Sequence, residues 1–190
     1  MAVNVEMRVK HALACFRPVE LSPQIQPMLT TPGHGAMPSG HATQAYAAAH
    51  VLQALLKLQA GTHDNEILQL QRQAARIATN RVIAGVHFPV DSIAGRSLGQ
   101  SLGEYFVCRC AMTTPTTAHA FFFDGAEASL SAGPVEFHPA IQPLDGGPDM
   151  QGNLAPFYRR TQLVAVPSAS PLLQHLWMKA QGEWTGKFGL

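Results

Sequence analysis

A histidine and a carboxylate four positions apart, His87 and Asp91, are of types that could do chemistry together. At the start of a helix, this spacing lets the carboxylate accept a hydrogen bond from one ring nitrogen of the histidine. That bond would fix the tautomer and leave the other nitrogen free as a nucleophile or a metal ligand. His41, predicted just inside another helix, could act as a general acid or base. These residues predict a site in which His87 bonds to the reacting group and His41 moves protons.

Three cations and a helix N-terminus predict that the reacting group is an anion with two or more charges. Lys10 and Arg17 are seven residues apart, so on one helix they would share a face two turns apart. Arg17 and Arg81 offer planar forks of donors that suit tetrahedral oxyanions, and Lys10 offers a compact charge. Ser39 and Gly40 are predicted at a helix N-terminus, where free backbone N–H groups and the helix dipole attract anions.

Helices must position these residues, and the sequence predicts where they begin and end. Ser39 suits an N-cap, and Pro89 suits a first helical turn, in which Asp91 would lie near the positive end of the dipole. Apolar residues at helical spacing predict helices over residues 1–17, 39–60, 65–84, 89–110 and about 170–181. The predicted fold class is therefore mainly α, with a helical core that carries the site.

Two segments lack a helical pattern. Residues 18–38 hold five prolines, which predicts a long ordered loop, and such loops in compact domains are usually functional. After Ala111 the chain is rich in Thr, Pro, Gly and Ser, which predicts short strands and loops, with a β-hairpin around residues 120–135. We therefore expect an oxyanion-site helical core over residues 1–111 and a loop-rich extension over residues 112–190.

The bulk composition narrows the classes of partner. The chain has 190 residues and is 46% hydrophobic, enough for one domain with a core. Charged residues make up 13% and the net charge is +1, so nothing indicates nucleic acid or an anionic membrane surface as a partner. No run approaches the about 18 apolar residues of a membrane span, and no signal peptide is visible. The expectation is a cytoplasmic or otherwise soluble protein.

The candidate site residues fall into three short motifs, and the order of these motifs along the chain is informative. They are Lys10 followed after six residues by Arg17-Pro18, then Pro38-Ser39-Gly40-His41, and then Asn80-Arg81 followed by Gly85-Val86-His87 and Asp91. In this order the chain resembles the type-2 phosphatidic acid phosphatase and vanadium haloperoxidase superfamily from residue 8 to about 106. The departure is Asn80, where the family pattern has serine.

The resemblance implies a fold and a role for each residue. The fold would be the mainly helical bundle of that superfamily. His87 would be the covalent residue, Asp91 its orienting partner and His41 the acid/base. The oxyanion would be bound by Lys10, Arg17, Ser39, Gly40 and Arg81.

A haloperoxidase is the first activity that the resemblance implies. Residues 32–44 resemble the corresponding stretch of vanadium bromoperoxidases, in which a second histidine, here His34, precedes the acid/base histidine by seven residues. The cofactor would then be vanadate, with vanadium bound by His87, and the small-molecule substrates would be halide and hydrogen peroxide. Lys10 would polarise the bound oxidant.

Two alternatives stay open. A short insert separates His41 from Arg81, as in the phosphatases, which hydrolyse a phosphoester through a phosphohistidine and need no cofactor. The third reading is an inactive oxyanion-binding or truncated form, because family members carry helices upstream of the lysine motif and this chain begins close before Lys10. A homo-oligomer that walls the site in their place is a further hypothesis.

Overall fold

The structure is a computed structural model that describes residues 1–110, 117–124, 137–138, 158–167 and 169–184. These residues form six helices, which are α1 (Ala2–Leu13), α2 (Pro18–Leu21), α3 (Gly40–Leu55), α4 (Asp64–Ile83), α5 (Pro89–Cys110) and α6 (Pro171–Trp184). They also form two strands, β1 (Thr117–Phe123) and β2 (Tyr158–Ala165). The prediction of a mainly α fold is confirmed, and α4 and α5 lie within a residue of their predicted bounds.

Glycines at every fourth position of α5 let it pack closely on α3. A Cβ atom on Gly95 would lie 2.6 Å from the carbonyl oxygen of Ser39, and one on Gly99 would lie 2.6 Å from that of Thr43. At Gly103 the nearest atom would be the Cβ of His50, at 2.8 Å. Because no side chain separates the two backbones, the N-terminus of α3 lies directly against the first turns of α5.

Small residues also join α3 to α4. The buried cluster between these helices contains Tyr46, Ala49, Ala74 and Ala78, and Phe137 packs edge-on against the Tyr46 ring. This packing fixes α4 beside α3 and so sets the position of Arg81 in the last turn of α4. Among the described residues, no helix has the length and hydropathy needed to cross a membrane.

The predicted first helix, over residues 1–17, is wrong at its C-terminus. Helix α1 ends at Leu13, because Ala14 adopts a left-handed conformation with φ 48° and donates its N–H to the carbonyl of Lys10. Arg17 instead caps α2, a short helix inside the segment predicted as a loop, and its backbone N–H donates to the Glu20 carboxylate. Lys10 and Arg17 therefore do not share a helix face, contrary to the prediction.

Two further boundaries differ from the prediction. Helix α3 ends at Leu55 rather than near residue 60, since Lys57 takes a left-handed conformation with φ 55°. Strand β1 pairs antiparallel with β2, with Phe123 opposite Tyr158, and not within a local hairpin over residues 120–135. Residues 125–135 of that predicted hairpin lie outside the described residues. The partner of β1 is distant in sequence, where no local turn signal could indicate it.

Candidate active site

His87 and Asp91 form the pair that their spacing predicts. Nδ1 of His87 lies 3.0 Å from Oδ2 of Asp91, and only 5% and 1% of the two residues is exposed. A carboxylate can only accept, so Nδ1 carries the proton and Nε2 keeps the lone pair. Burial lowers the pKa of His87, and the Asp91 carboxylate, which acts to raise it, does not offset that effect. The ring is therefore neutral near pH 7, the state that a nucleophile requires.

The same aspartate joins His87 to the start of α3. The carbonyl oxygen of Asp91 accepts the backbone N–H of Ser39 at 2.8 Å, and Oδ2 also accepts the N–H of Phe88 at 2.9 Å. Ser39 is the predicted N-cap, and its hydroxyl accepts from the N–H of Ala42 at 3.5 Å. The N–H groups of Gly40 and His41 have no partner among the described residues. Two donors at a helix N-terminus thus remain available beside His87.

Arg81 and His41 supply a free cation and a free imidazole to the same region. Nε of Arg81 is buried and has no hydrogen-bond partner within the described part of the chain. His41 is exposed, and its pKa is lowered first by the partial burial of its ring and then by the neighbouring Arg81, His87 and Lys10. Arg81, His87 and Lys10 therefore lie within electrostatic range of His41.

Lys10 lies in the region where it was predicted, but its donors are already engaged. It is 1% exposed, and Nζ donates to the carbonyls of Gly35 at 3.2 Å, Ala36 at 2.9 Å and Pro38 at 2.6 Å. An ammonium group has three N–H donors, so all of them are used. Burial and the neighbouring Arg17 lower the pKa of Lys10 to about 8, although Asp91 and Glu6 act to raise it.

Arg17 also binds the main chain. Nη1 donates to the carbonyl of Val86 at 2.8 Å, and Nε donates to that of His34 at 3.0 Å. Nη2 donates to Nδ1 of His34 at 3.2 Å and to the carbonyl of Gly35 at 3.4 Å. His34, Arg17 and Lys10 line a cavity of about 500 Å³, to which neither His41 nor His87 contributes. Arg17 thus connects the loop that precedes α3 to the residue before His87.

A family comparison covers the segment that contains these residues. The family model described as the PAP2 superfamily matches residues 1–112. The chain belongs to the PAP2 superfamily. A search of curated proteins finds no match. The match covers the residues predicted for the site in this PAP2 superfamily protein, but it ends before β1, β2 and α6.

All nine predicted residues lie in one region of this PAP2 superfamily protein, though in two different states. Lys10 donates to the carbonyl of Pro38, and Arg17 donates to the carbonyls of His34 and Val86. Hydrogen bonds tie Ser39 to Asp91 and Asp91 to His87. Within the described part of the chain, the groups without a partner that could meet an anion belong to Gly40, His41, Arg81 and His87.

Glu6 is a residue of the site that the sequence reasoning missed. It is 5% exposed, its Oε1 accepts from Nε2 of Gln44 at 3.0 Å, and its Oε2 has no partner among the described residues. The carboxylate fills the space beside Gly40, where a Cβ atom would lie 2.6 Å from Oε1. Its spacing of four residues before Lys10 on α1 is the available signal, because residues at that spacing are neighbours on a helix.

Proposed function

We propose that this PAP2 superfamily protein hydrolyses phosphomonoesters through a phosphohistidine at His87. Members of the superfamily are generally phosphatases or haloperoxidases. The proposal rests on which groups have no protein partner among the described residues. They are Nε2 of His87, Nε of Arg81, the His41 ring and two N–H groups at the start of α3. A nucleophile, a cation, an acid and oxyanion donors are what phosphoryl transfer requires.

The proposed reaction has two steps. In the first, the lone pair of His87 Nε2 attacks phosphorus, and the P–O bond to the alcohol breaks while the N–P bond forms. His41 gives its proton to the leaving oxygen, so that a neutral alcohol departs. In the second step, a water molecule attacks phosphorus, His41 takes a proton from it, and the N–P bond breaks. Inorganic phosphate and free His87 are the products.

The other residues act on charge and orientation in this scheme. Arg81 and the N–H groups of Gly40 and His41 would bind the phosphoryl oxygens, where negative charge is concentrated. Asp91 would stabilise the positive charge that the His87 ring acquires when Nε2 bonds to phosphorus, through the hydrogen bond to Nδ1. Lys10 and Arg17 would fix the loop that places the start of α3.

A vanadium haloperoxidase is the second candidate, and the position of His34 favours it. His34 lines the same cavity as Arg17 and Lys10, and its Nδ1 lies 3.2 Å from Nη2 of Arg17. The residues fit vanadate, since His87 Nε2 would bind vanadium and Arg81 with the helix N–H groups would hold its oxygens. When bound, vanadate supplies a Lewis-acid centre that activates hydrogen peroxide toward halide.

The state of Lys10 favours the hydrolase over the haloperoxidase. The resemblance gives Lys10 the task of polarising the bound oxidant, which needs at least one free N–H. All three of its donors are bonded to the carbonyls of residues 35, 36 and 38. The hydrolase needs no free donor from Lys10, because the partner-free groups suffice for both of its steps.

Parallel assays test the proposal. The purified chain should release p-nitrophenol from p-nitrophenyl phosphate, orthovanadate should inhibit the release, and His87→Ala should abolish it. His175→Ala is the matched control, because His175 is exposed on α6. Bromination of a halogen-acceptor dye with vanadate, peroxide and bromide, lost in His87→Ala, would instead establish the haloperoxidase. No turnover in either assay, with no vanadate binding by calorimetry, would contradict both and leave the inactive form.

A further inference from the structure

A second cavity lies between α1, α5 and the two-stranded sheet, and Met37 and Pro38 line it on the side of the start of α3. Its volume is about 840 Å³, which lies in the range of cavities that bind small molecules. Most of its wall is apolar, formed by side chains that include Val9, Leu13, Leu98, Leu102, Phe121 and Phe123. A cavity of this kind favours a ligand with a hydrophobic body, because burial of apolar surface supplies most of the binding free energy.

One ionisable pair interrupts the apolar wall. His119 lines the cavity from β1, and its Nδ1 lies 3.0 Å from Oε2 of Glu104 on α5. The backbone N–H of His119 donates to the same oxygen at 2.6 Å, and Nε2 of Gln100 donates to Oε1 at 2.8 Å. Burial acts to raise the pKa of Glu104, but the hydrogen bonds from Gln100 and His119 outweigh it and lower that pKa. The carboxylate is therefore ionised and fixed in place.

The fixed carboxylate determines what the histidine can offer to a ligand. Because a carboxylate only accepts, Nδ1 of His119 carries a proton toward Glu104, and in the uncharged form of the ring Nε2 keeps its lone pair. That nitrogen is an acceptor, so it suits a ligand that donates an O–H. The charge of Glu104 beside the ring disfavours an anionic head group at the same place.

We propose that this cavity is a second ligand site, which takes apolar alcohols or phenols whose hydroxyl donates to Nε2 of His119. The site uses β1 and β2, which lie beyond the residues matched by the PAP2 superfamily, and it shares no residue with the groups proposed to bind the anion.

The proposal can be tested on the full chain with two ligands that differ only in their hydrogen-bond donor. Isothermal titration calorimetry should show saturable binding of 4-butylphenol and weaker binding of 4-butylanisole, its methyl ether. The expected ratio of dissociation constants is about three- to tenfold, the contribution of one net hydrogen bond. Equal affinities, or no saturable binding of the phenol, would overturn the proposal without any variant.

Variants then locate the ligand. Ala94→Leu places a larger side chain on the cavity wall and should weaken both ligands, whereas Ala48→Leu, at an exposed position of α3, should leave both unchanged. His119→Phe should keep the binding of the anisole and bring the ratio near one. His87→Ala should bind the phenol normally, so failure of the proposed hydrolase is distinguishable from failure of this site.

Self-association gives the remaining outcome. If the unmodified chain forms a dimer in sedimentation velocity and Ala94→Leu converts it to monomer, a second copy fills the cavity. That result would overturn the assignment to a small molecule.

Discussion

The two sides of the candidate active site contain similar residues in opposite states. On one side, Lys10 and Arg17 are buried cations whose donors are bonded to carbonyls of residues 34–38 and of Val86. On the other side, Arg81 and His41 have no hydrogen-bond partner among the described residues. The same chemical types can therefore build a site or act in it, and the difference lies in whether their donors are already satisfied by the main chain.

The side whose donors are bonded, with Lys10 and Arg17, positions the side with Arg81 and His41. Lys10 brings the carbonyls of Gly35, Ala36 and Pro38 onto one ammonium group, directly before the N-cap Ser39. Arg17 joins the same loop to the residue before His87. Each cation fixes one segment that leads to the candidate site. The burial of Lys10 and Arg17 is therefore compatible with a role in positioning.

Among the cations of the site, Arg81 should have the largest effect on activity when it is replaced. If Arg81 stabilises the phosphoryl oxygens, Arg81→Met should lower kcat/KM for p-nitrophenyl phosphate by about 10²–10³-fold. The free energy of unfolding should change by less than about 0.5 kcal/mol, because no protein hydrogen bond of Nε is lost. Arg76→Met, at an exposed position of the same helix, is the control. A large loss of stability in Arg81→Met would contradict the distinction between the two sides.

Replacement of Lys10 should act on stability first. Lys10→Met leaves three carbonyls without their donor and should lower the free energy of unfolding by about 2–4 kcal/mol in urea titrations. Lys57→Met, at an exposed position, should change it little. If Lys10→Met kept its stability and lost vanadate binding, Lys10 would belong to the reacting side.

The pH dependence of stability gives Lys10 a signature of its own. Its pKa is lowered from 10.5 to about 8 in the folded chain, so the unfolded chain binds more protons between these values. The free energy of unfolding should therefore rise as pH increases from about 8 to 10.5. This rise should be reduced in Lys10→Met, and an unchanged slope in the variant would assign it to other groups.

The glycines of α5 should matter somewhat less. Gly95→Ala places a Cβ atom 2.6 Å from the Ser39 carbonyl, so α3 must shift, and we expect a loss of about 1–3 kcal/mol. Gly182→Ala is the matched control, since α6 has open space there and alanine should stabilise the helix by up to about 1 kcal/mol. Equal thermal stabilities of the two variants would mean that α3 and α5 do not approach as closely as described.

The smallest effect concerns the protonation of the two histidines. The proposed attack needs neutral His87 and protonated His41, and the pKa of each is lowered from 6.5, first by burial. The kcat/KM profile of the hydrolase should therefore peak below pH 6.5. In NMR titrations, Arg81→Met should raise the pKa of His41, whereas Arg76→Met should not. An alkaline optimum would contradict the roles assigned to the pair.

Much of this site could be predicted because its signals are local. The spacing of His87 and Asp91 predicts their hydrogen bond, and Ser39 and Pro89 mark the helix starts that bring them together. These features depend on neighbours within one turn of a helix. The helical bounds of α5 were predictable for the same reason.

The features that could not be predicted depend on contacts between distant segments. The break of α1 after Leu13 lets Lys10 meet carbonyls of residues 35–38, and nothing near Lys10 in the sequence indicates that loop. The pairing of β1 with β2 also joins segments far apart. The glycine repeat in α5 was visible in the sequence, but its meaning depends on which helix packs against it.

Asp91 limits how far His87 can move relative to the start of α3. Its side chain holds the imidazole of His87, while its carbonyl holds the N–H of Ser39, the residue before the free helix N–H groups. Two hydrogen bonds and one residue therefore span the path between the proposed nucleophile and the proposed oxyanion donors. Thermal motion or a mutation elsewhere must stretch that short path before it can misalign them, so the positional tolerance of the proposed reaction depends on a single amino acid.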